Sequence, residues 1–211
     1  MSAKKVAIQV DTSEFVLQQA IPLFAAAGYS GVSMRDISRV VGISAAAIYH
    51  HFPDKQALYL AAMNYAFADK ARGITKALAG GGNVSERLNR FIERFTELMA
   101  RDPDFRALLH RELLDGDEAR LKLLADQVFL EPYEAVVSLS RELAPDLDPY
   151  LLANSVAGLV LFCFESMPLR RHLPGRNPEH EDPKIIAKHV STLLARALRG
   201  VNAQQGEARQ E

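Results

Sequence analysis

The sequence predicts an all-α protein of about nine helices. Two observations carry that reading. Apolar residues recur at i, i+3 and i+4 spacing from Phe15 to Ala197, with no sustained strand-like alternation. Between these stripes stand the residues that start and stop helices: Ser33, Ser44 and Asp54 as caps, Gly28 and Gly42 as terminators, and the flexible run Ala79-Gly80-Gly81-Gly82-Asn83.

The first helix starts near Asp11 or Thr12, where Asp11 and Glu14 have capping-box spacing. Its apolar side is Phe15, Val16, Ala20, Leu23, Phe24 and Ala27, and Pro22 predicts a local bend. Ser33 and Asp36 cap a second helix with Ile37, Val40 and Val41 inward, and Gly42 turns the chain. Ser44 caps a third helix, Ala45 to His50, anchored by Ile48 and Phe52. After Pro53, Asp54 opens a long fourth helix through Leu58, Met63 and Phe67. Five more follow: Val84 to Ala100, Asp102 to Leu114, Glu118 to Leu143 with a kink expected at Pro132, Pro149 to Glu165, and Pro183 to Leu198. The proline-bearing stretch Ser166 to Asp182 reads as a mobile crossover, and residues 201–211 as a disordered tail.

Composition limits the possibilities. An apolar content of 48% supports a sizeable core, and a net charge of −1 confines any nucleic-acid contact to a local patch. The single cysteine, Cys163, excludes an intrachain disulfide or a cysteine zinc cluster, so no metal or cofactor is expected. No apolar run reaches the roughly 20 residues of a membrane span, and no export signal is visible, so a cytoplasmic setting is expected. HExxH, GxSxG and Walker signatures are absent, which argues against an enzyme.

Ser33 to Leu58, SMRDISRVVGISAAAIYHHFPDKQAL, therefore encodes short helix, tight turn, short helix and the start of a third. This is the layout of a helix-turn-helix DNA reader. The elements Ala20-Ile21-Pro22-Leu23-Phe24, Gly28-Tyr29, Val32 to Ile37, Val41-Gly42-Ile43-Ser44, Ile48 to Phe52, Lys55 and Leu58 recur here in one order and spacing. In them the chain resembles the DNA-binding domain of the tetracycline-repressor (TetR) family of bacterial transcription regulators. The resemblance covers about residues 11–60; beyond them it extends only to helical character. Thr12-Ser13-Glu14 departs from it, lacking the arginine such proteins often carry for a phosphate.

Several expectations follow. In such a reader the N-terminal residues of the second motif helix meet base edges, here Ser44, Ala45, Ala46 and Ala47. Small side chains let the backbone approach, and alanine methyls can touch thymine methyls. With no Arg, Asn or Gln in that helix, much of the readout falls to Ser33, Arg35 and DNA shape, and Met34 joins the DNA-facing set. The resemblance places Tyr49, His50 and Lys55 near phosphates, and Lys4 and Lys5 could form a basic arm. Residues 1–60 carry Lys4, Lys5, Arg35, Arg39 and Lys55 against Asp11, Glu14, Asp36 and Asp54, a thin cationic margin. Two copies on a palindromic double-stranded operator are therefore expected, with binding weakened by salt.

The resemblance further implies a homodimer whose C-terminal domain takes a small effector. The boundaries read as 1–56 for DNA binding, 57–200 for effector binding and dimerisation, and 201–211 for the tail. Pocket candidates are Phe91, Phe95, Met99, Phe105 and Leu109, together with Glu112, Leu113, Phe129, Tyr133 and Phe162. An aromatic stripe at this spacing also serves as plain core. Their apolar character points to a hydrophobic or amphipathic effector. The last two helices should form the dimer interface, because the helix from Pro149 is apolar on nearly every side. The chain so read is a ligand-responsive regulator, most simply a repressor. The alternative is an all-helical ligand-binding or scaffolding protein without sequence-specific DNA binding.

Overall fold

The computed structural model describes residues 12–208, side chains at 69 and 199–208 excepted. Helices α1 (Thr12–Ala27), α2 (Met34–Val41), α3 (Ala45–His51) and α4 (Lys55–Ala79) open the chain. They are followed by α5 (Val84–Arg101), α6 (Pro103–Asp115), α7 (Glu118–Leu124), α8 (Leu130–Leu143), α9 (Pro149–Glu165), the short α10 (Met167–Arg170) and α11 (Pro183–Ala208). No strand occurs among the described residues, so the all-α expectation holds. The capping box expected at Asp11, and the Lys4–Lys5 arm, lie outside the described residues.

Two compact units form. The first joins the N-terminal segment through Phe67 to residues 104–128, and the second takes 68–103 and everything from Phe129 on. Helix α4 begins in the first unit and ends in the second.

In the first unit, α1 runs through Pro22 as one uninterrupted helix. It buries Val16, Ala20, Phe24 and Ala25, while Phe15 turns outward. Helix α2 buries Met34, Ile37 and Val41. Val40, expected inside, is 49% exposed. Positions 34, 37 and 41 share one helical face, and 40 lies about 100° round from 41. Ile48 and Phe52 anchor α3 as expected. Phe24 and Tyr29 each make an edge-to-face contact with Tyr59, with centroids 4.7 Å and 5.1 Å apart.

In the second unit, α11 packs chiefly on α5, burying Ile186, Val190 and Leu194, and α9 lies against both and against α8. A capping box of Asn83 and Glu86 starts α5. The Arg90 guanidinium donates to the carbonyls of Ala77, Gly80 and Gly81, satisfying the end of α4. The kink expected at Pro132 is expressed one turn earlier as a π turn at Ala125–Phe129, joining α7 and α8. A proline removes the bond to the residue four before it, here Val128, and widening the turn there relieves the clash. Helix α11 continues through residues 201–208, which composition had assigned to a tail. Alanine, glutamine and glutamate in VNAQQGEA are good helix formers and prolong it despite Gly206. No helix among the described residues is long and apolar enough to cross a membrane, and no metal-binding cluster occurs among them.

Candidate nucleic-acid interface

Each part of the reader is held by local chemistry. The Ser33 Oγ accepts from the Asp36 N–H at 3.2 Å, while the Asp36 carboxylate accepts from the Ser33 N–H at 3.0 Å and from its hydroxyl at 2.5 Å. These bonds from Ser33, helped by the Arg39 guanidinium at 3.1 Å, hold the Asp36 carboxyl below its ordinary value. Helix α2 ends at Gly42, whose φ of +79° lets its N–H reach the Ser38 carbonyl at 2.9 Å. A methyl at Gly42 would meet nothing within 4 Å, so any cost of Gly42→Ala is conformational. We expect this variant to lose about 1 kcal/mol, the price of a left-handed alanine; thermal unfolding checks it, with a midpoint about 2–4 °C lower for a chain of this size.

Ser44 accepts from the Ala47 N–H at 3.2 Å and starts α3, leaving the hydroxyl proton free to donate. Ser44, Ala46, Tyr49, His50 and His51 are exposed, Ala45 and Ala47 half-buried, and Ile48 fully buried. The helix thus has one anchored side and one bare side bearing a hydroxyl, methyls, a phenol and two imidazoles. Ser33 and Arg35 are also exposed, beside the start of α2.

Two of the DNA-facing assignments change. Met34 is only 7% exposed, because it begins the inward face of α2; it supports the reader from inside. Lys55 is half-buried, and its ammonium donates to the carbonyls of Tyr29 at 3.0 Å and Val32 at 3.1 Å while standing 4.2 Å over the Tyr29 ring. Two of its three protons therefore fasten the α1–α2 turn, whatever the third reaches.

The turn has a second support that the sequence did not reveal. Arg111 of α6 donates to the carbonyls of Ala25 (2.8 Å) and Ala26, capping α1 where Gly28 adopts φ +71°. The neighbouring Glu112 is 1% exposed and Arg120 6%, and they pair at 3.3 Å. The Tyr59 hydroxyl donates to Glu112 at 2.6 Å, and Arg120 also reaches Asp115 and Asp117. Burial, then the bond to Glu112, raises the Tyr59 phenol far above its usual range. The Arg120 guanidinium stands 4.5 Å over the Tyr29 ring. A sequence signal existed only for Asp117, which caps α7 three residues before Arg120.

The effector candidates divide between the units. Phe105 is core in the first, its ring tilted 45° to that of Phe67 with centroids 4.2 Å apart, and Leu109 is half-buried nearby in sequence. Glu112 is occupied by its ion pair, so it lines no open pocket. Leu113 is exposed. In the second unit Phe91 and Met99 are core, Phe95 stacks on Phe91 at 5.6 Å, and Phe129 is half-buried. Tyr133 is exposed, and Phe162 is 71% exposed, so neither lies in an enclosed core.

Residues 16–62, from inside α1 to inside α4, match the family described as "Bacterial regulatory proteins, tetR family". Over these residues the chain is similar to the DNA-binding domain of the TetR family. Among its relatives is the HTH-type transcriptional repressor AcnR of Corynebacterium efficiens, 31% identical over 123 residues, or 54% of this chain and 65% of that protein. AcnR of Corynebacterium diphtheriae is 34% identical over 113 residues, covering 47% and 57% of the two chains. The chain thus spans less than two-thirds of the length of these relatives. Solved structures share the fold: the fatty acid degradation regulator FadR of Bacillus halodurans has a TM-score of 0.71 at 15% identity, covering 89% of this chain and 96% of that one. The TetR family regulator PfmR of Thermus thermophilus has a TM-score of 0.63 at 24% identity, covering 86% and 97%.

Proposed function

We propose that the chain is a cytoplasmic transcriptional repressor that binds a palindromic operator as a homodimer and is released by a small hydrophobic or amphipathic effector. The observation that carries this reading is the bare side of α3, set between two capped ends with Ser44, Ala46, Tyr49 and His50 outward. Helix-turn-helix readers present that side to the major groove. Repression is supported by the similarity to the repressor AcnR and to the biofilm-operon negative regulator IcaR of Staphylococcus epidermidis, 39% identical over 44 residues.

A dimer through α9 and α11 is supported by exposed apolar side chains on both. Leu151 (68% exposed) and Phe162 (71%) stand on α9 with Gly158 bare between them, and Ile185 and Leu193 stand on α11. Side chains of this size rarely face water in a row on a monomer. For release, effector binding must favour one position of α4, the helix common to both units, and so alter reader spacing.

The test begins with operators selected from random duplexes. The wild-type chain should retain palindromes whose half-sites lie about 34 Å or a multiple apart. Phe162→Glu should give a monomer by sedimentation velocity and lose operator binding with it. A Phe162→Glu protein that remains dimeric refutes the interface, and a wild-type chain that enriches no sequence refutes the regulator.

A further inference from the structure

The crossover between α9 and α11 carries a half-open hollow of about 160 Å³. Its walls include Arg170, Arg171, Arg176, Asn177, His180 and Glu181. The backbone is pinned by the Leu173 N–H to the Arg170 carbonyl at 3.2 Å, by Gly175 at φ +81°, and by a 3-10 turn at Pro178–Glu181 capped by Asn177. The hollow is thus a built feature of the loop.

Its electrostatics are unbalanced. Three guanidiniums line it against one carboxylate, Glu181. Both Glu181 oxygens are already taken by Arg171, at 2.9 Å and 2.7 Å. Arg170 gives one Nη2 proton to the Cys163 carbonyl at 2.8 Å, and its Nε is sealed from water with no partner. A buried guanidinium donor left unpaired is costly. Arg176 has no hydrogen-bond or ion-pair partner among the described residues. Glu179 and Asp182 are near in sequence but are not among the lining residues.

We propose that this hollow binds a small oxyanion, a carboxylate or phosphate group, with Arg176 and Arg170 supplying the donors and the Arg171–Glu181 pair forming the floor. Guanidinium forks match the paired oxygens of either group. The volume suits a ligand of benzene size, which an engineered cavity of about 150 Å³ accepts. The lining residues lie in the second unit and none of them enters the regulator reading, so its failure leaves that reading untouched.

The experiment is thermal unfolding of the whole chain titrated with inorganic phosphate or malonate, against sodium chloride at matched ionic strength. A bound anion raises the midpoint saturably, by the logarithm of its occupancy. The expected result is a saturable rise with at least one of the two, with the tighter anion naming the preferred group. Arg176→Gln, which breaks no hydrogen bond or ion pair among the described residues, should weaken the apparent affinity at least tenfold while moving the anion-free midpoint little, because Arg176 is exposed. A rise that never saturates, that chloride reproduces, or that Arg176→Gln leaves unchanged overturns the site. A response confined to protein concentrations at which the chain self-associates would assign the hollow to a carboxylate of a second copy, and overturns the small-anion reading equally.

Discussion

Arg120→Met should remove about 3–4 kcal/mol of stability, the largest loss expected of any single change discussed for this chain. The substitution leaves the Glu112 carboxylate at 1% exposure with only the Tyr59 hydroxyl as partner. An uncompensated buried charge costs several kcal/mol, and the phenol recovers only part of it. The reverse change, Glu112→Leu, should cost less, because Asp115 and Asp117 still hold Arg120 at 3.3 Å and 3.2 Å. The double variant, Glu112→Leu with Arg120→Met, should recover most of the loss, since a well-packed apolar pair replaces a desolvated ionic one. Urea unfolding of all four proteins gives the coupling directly. Additive losses in the double variant would mean that the pair does not act as a unit.

Ala46→Glu should abolish operator binding while leaving the fold unharmed. Ala46 is exposed in the first turn of α3, and a glutamate there is favoured by the helix dipole. Surface changes of this kind alter stability by about 0.5 kcal/mol or less. In the proposed complex the same carboxylate enters a groove lined by phosphates, replacing a methyl that touches the bases. A clash and a like-charge penalty of about 3 kcal/mol or more correspond to a loss of at least roughly 100-fold in affinity. Fluorescence anisotropy with the selected operator measures this, and an unchanged circular dichroism melt excludes unfolding as the cause. Unimpaired binding by Ala46→Glu would show that another surface meets the duplex.

The reader was legible in the sequence because its signals are local. Ser33 and Asp36, Gly42, and Ser44 act within three or four residues, and caps at such spacing leave few alternatives. The inward face of α2 was less so: Met34 and Val40 are both apolar, and in an eight-residue helix the pattern admits either. The contacts of Lys55 escaped for a different reason. Its partners Tyr29 and Val32 lie more than twenty residues away, and a lysine's charge says nothing of which oxygen it meets. Arg111, Glu112 and Arg120 lay further out of reach, since their contacts with α1 and α4 join segments fifty or more residues apart.

The clasp on Lys55 bears on how this protein would search a chromosome. Between residues 12 and 60 the cations are Arg35, Arg39 and Lys55. Lys55 is tied to two carbonyls and Arg39 to Asp36, which leaves Arg35 as the cation with no internal partner among them. Each phosphate neutralised adds about 0.9 to the salt exponent of duplex affinity. Neutral carbonyls leave the Lys55 charge in place, but three cations against Glu14, Asp36 and Asp54 give this segment a weak grip on bulk DNA, and little of the protein would be sequestered at random sites. Discrimination would then come from the fit of a nearly neutral surface, so that few copies per cell could suffice to occupy a small number of operators.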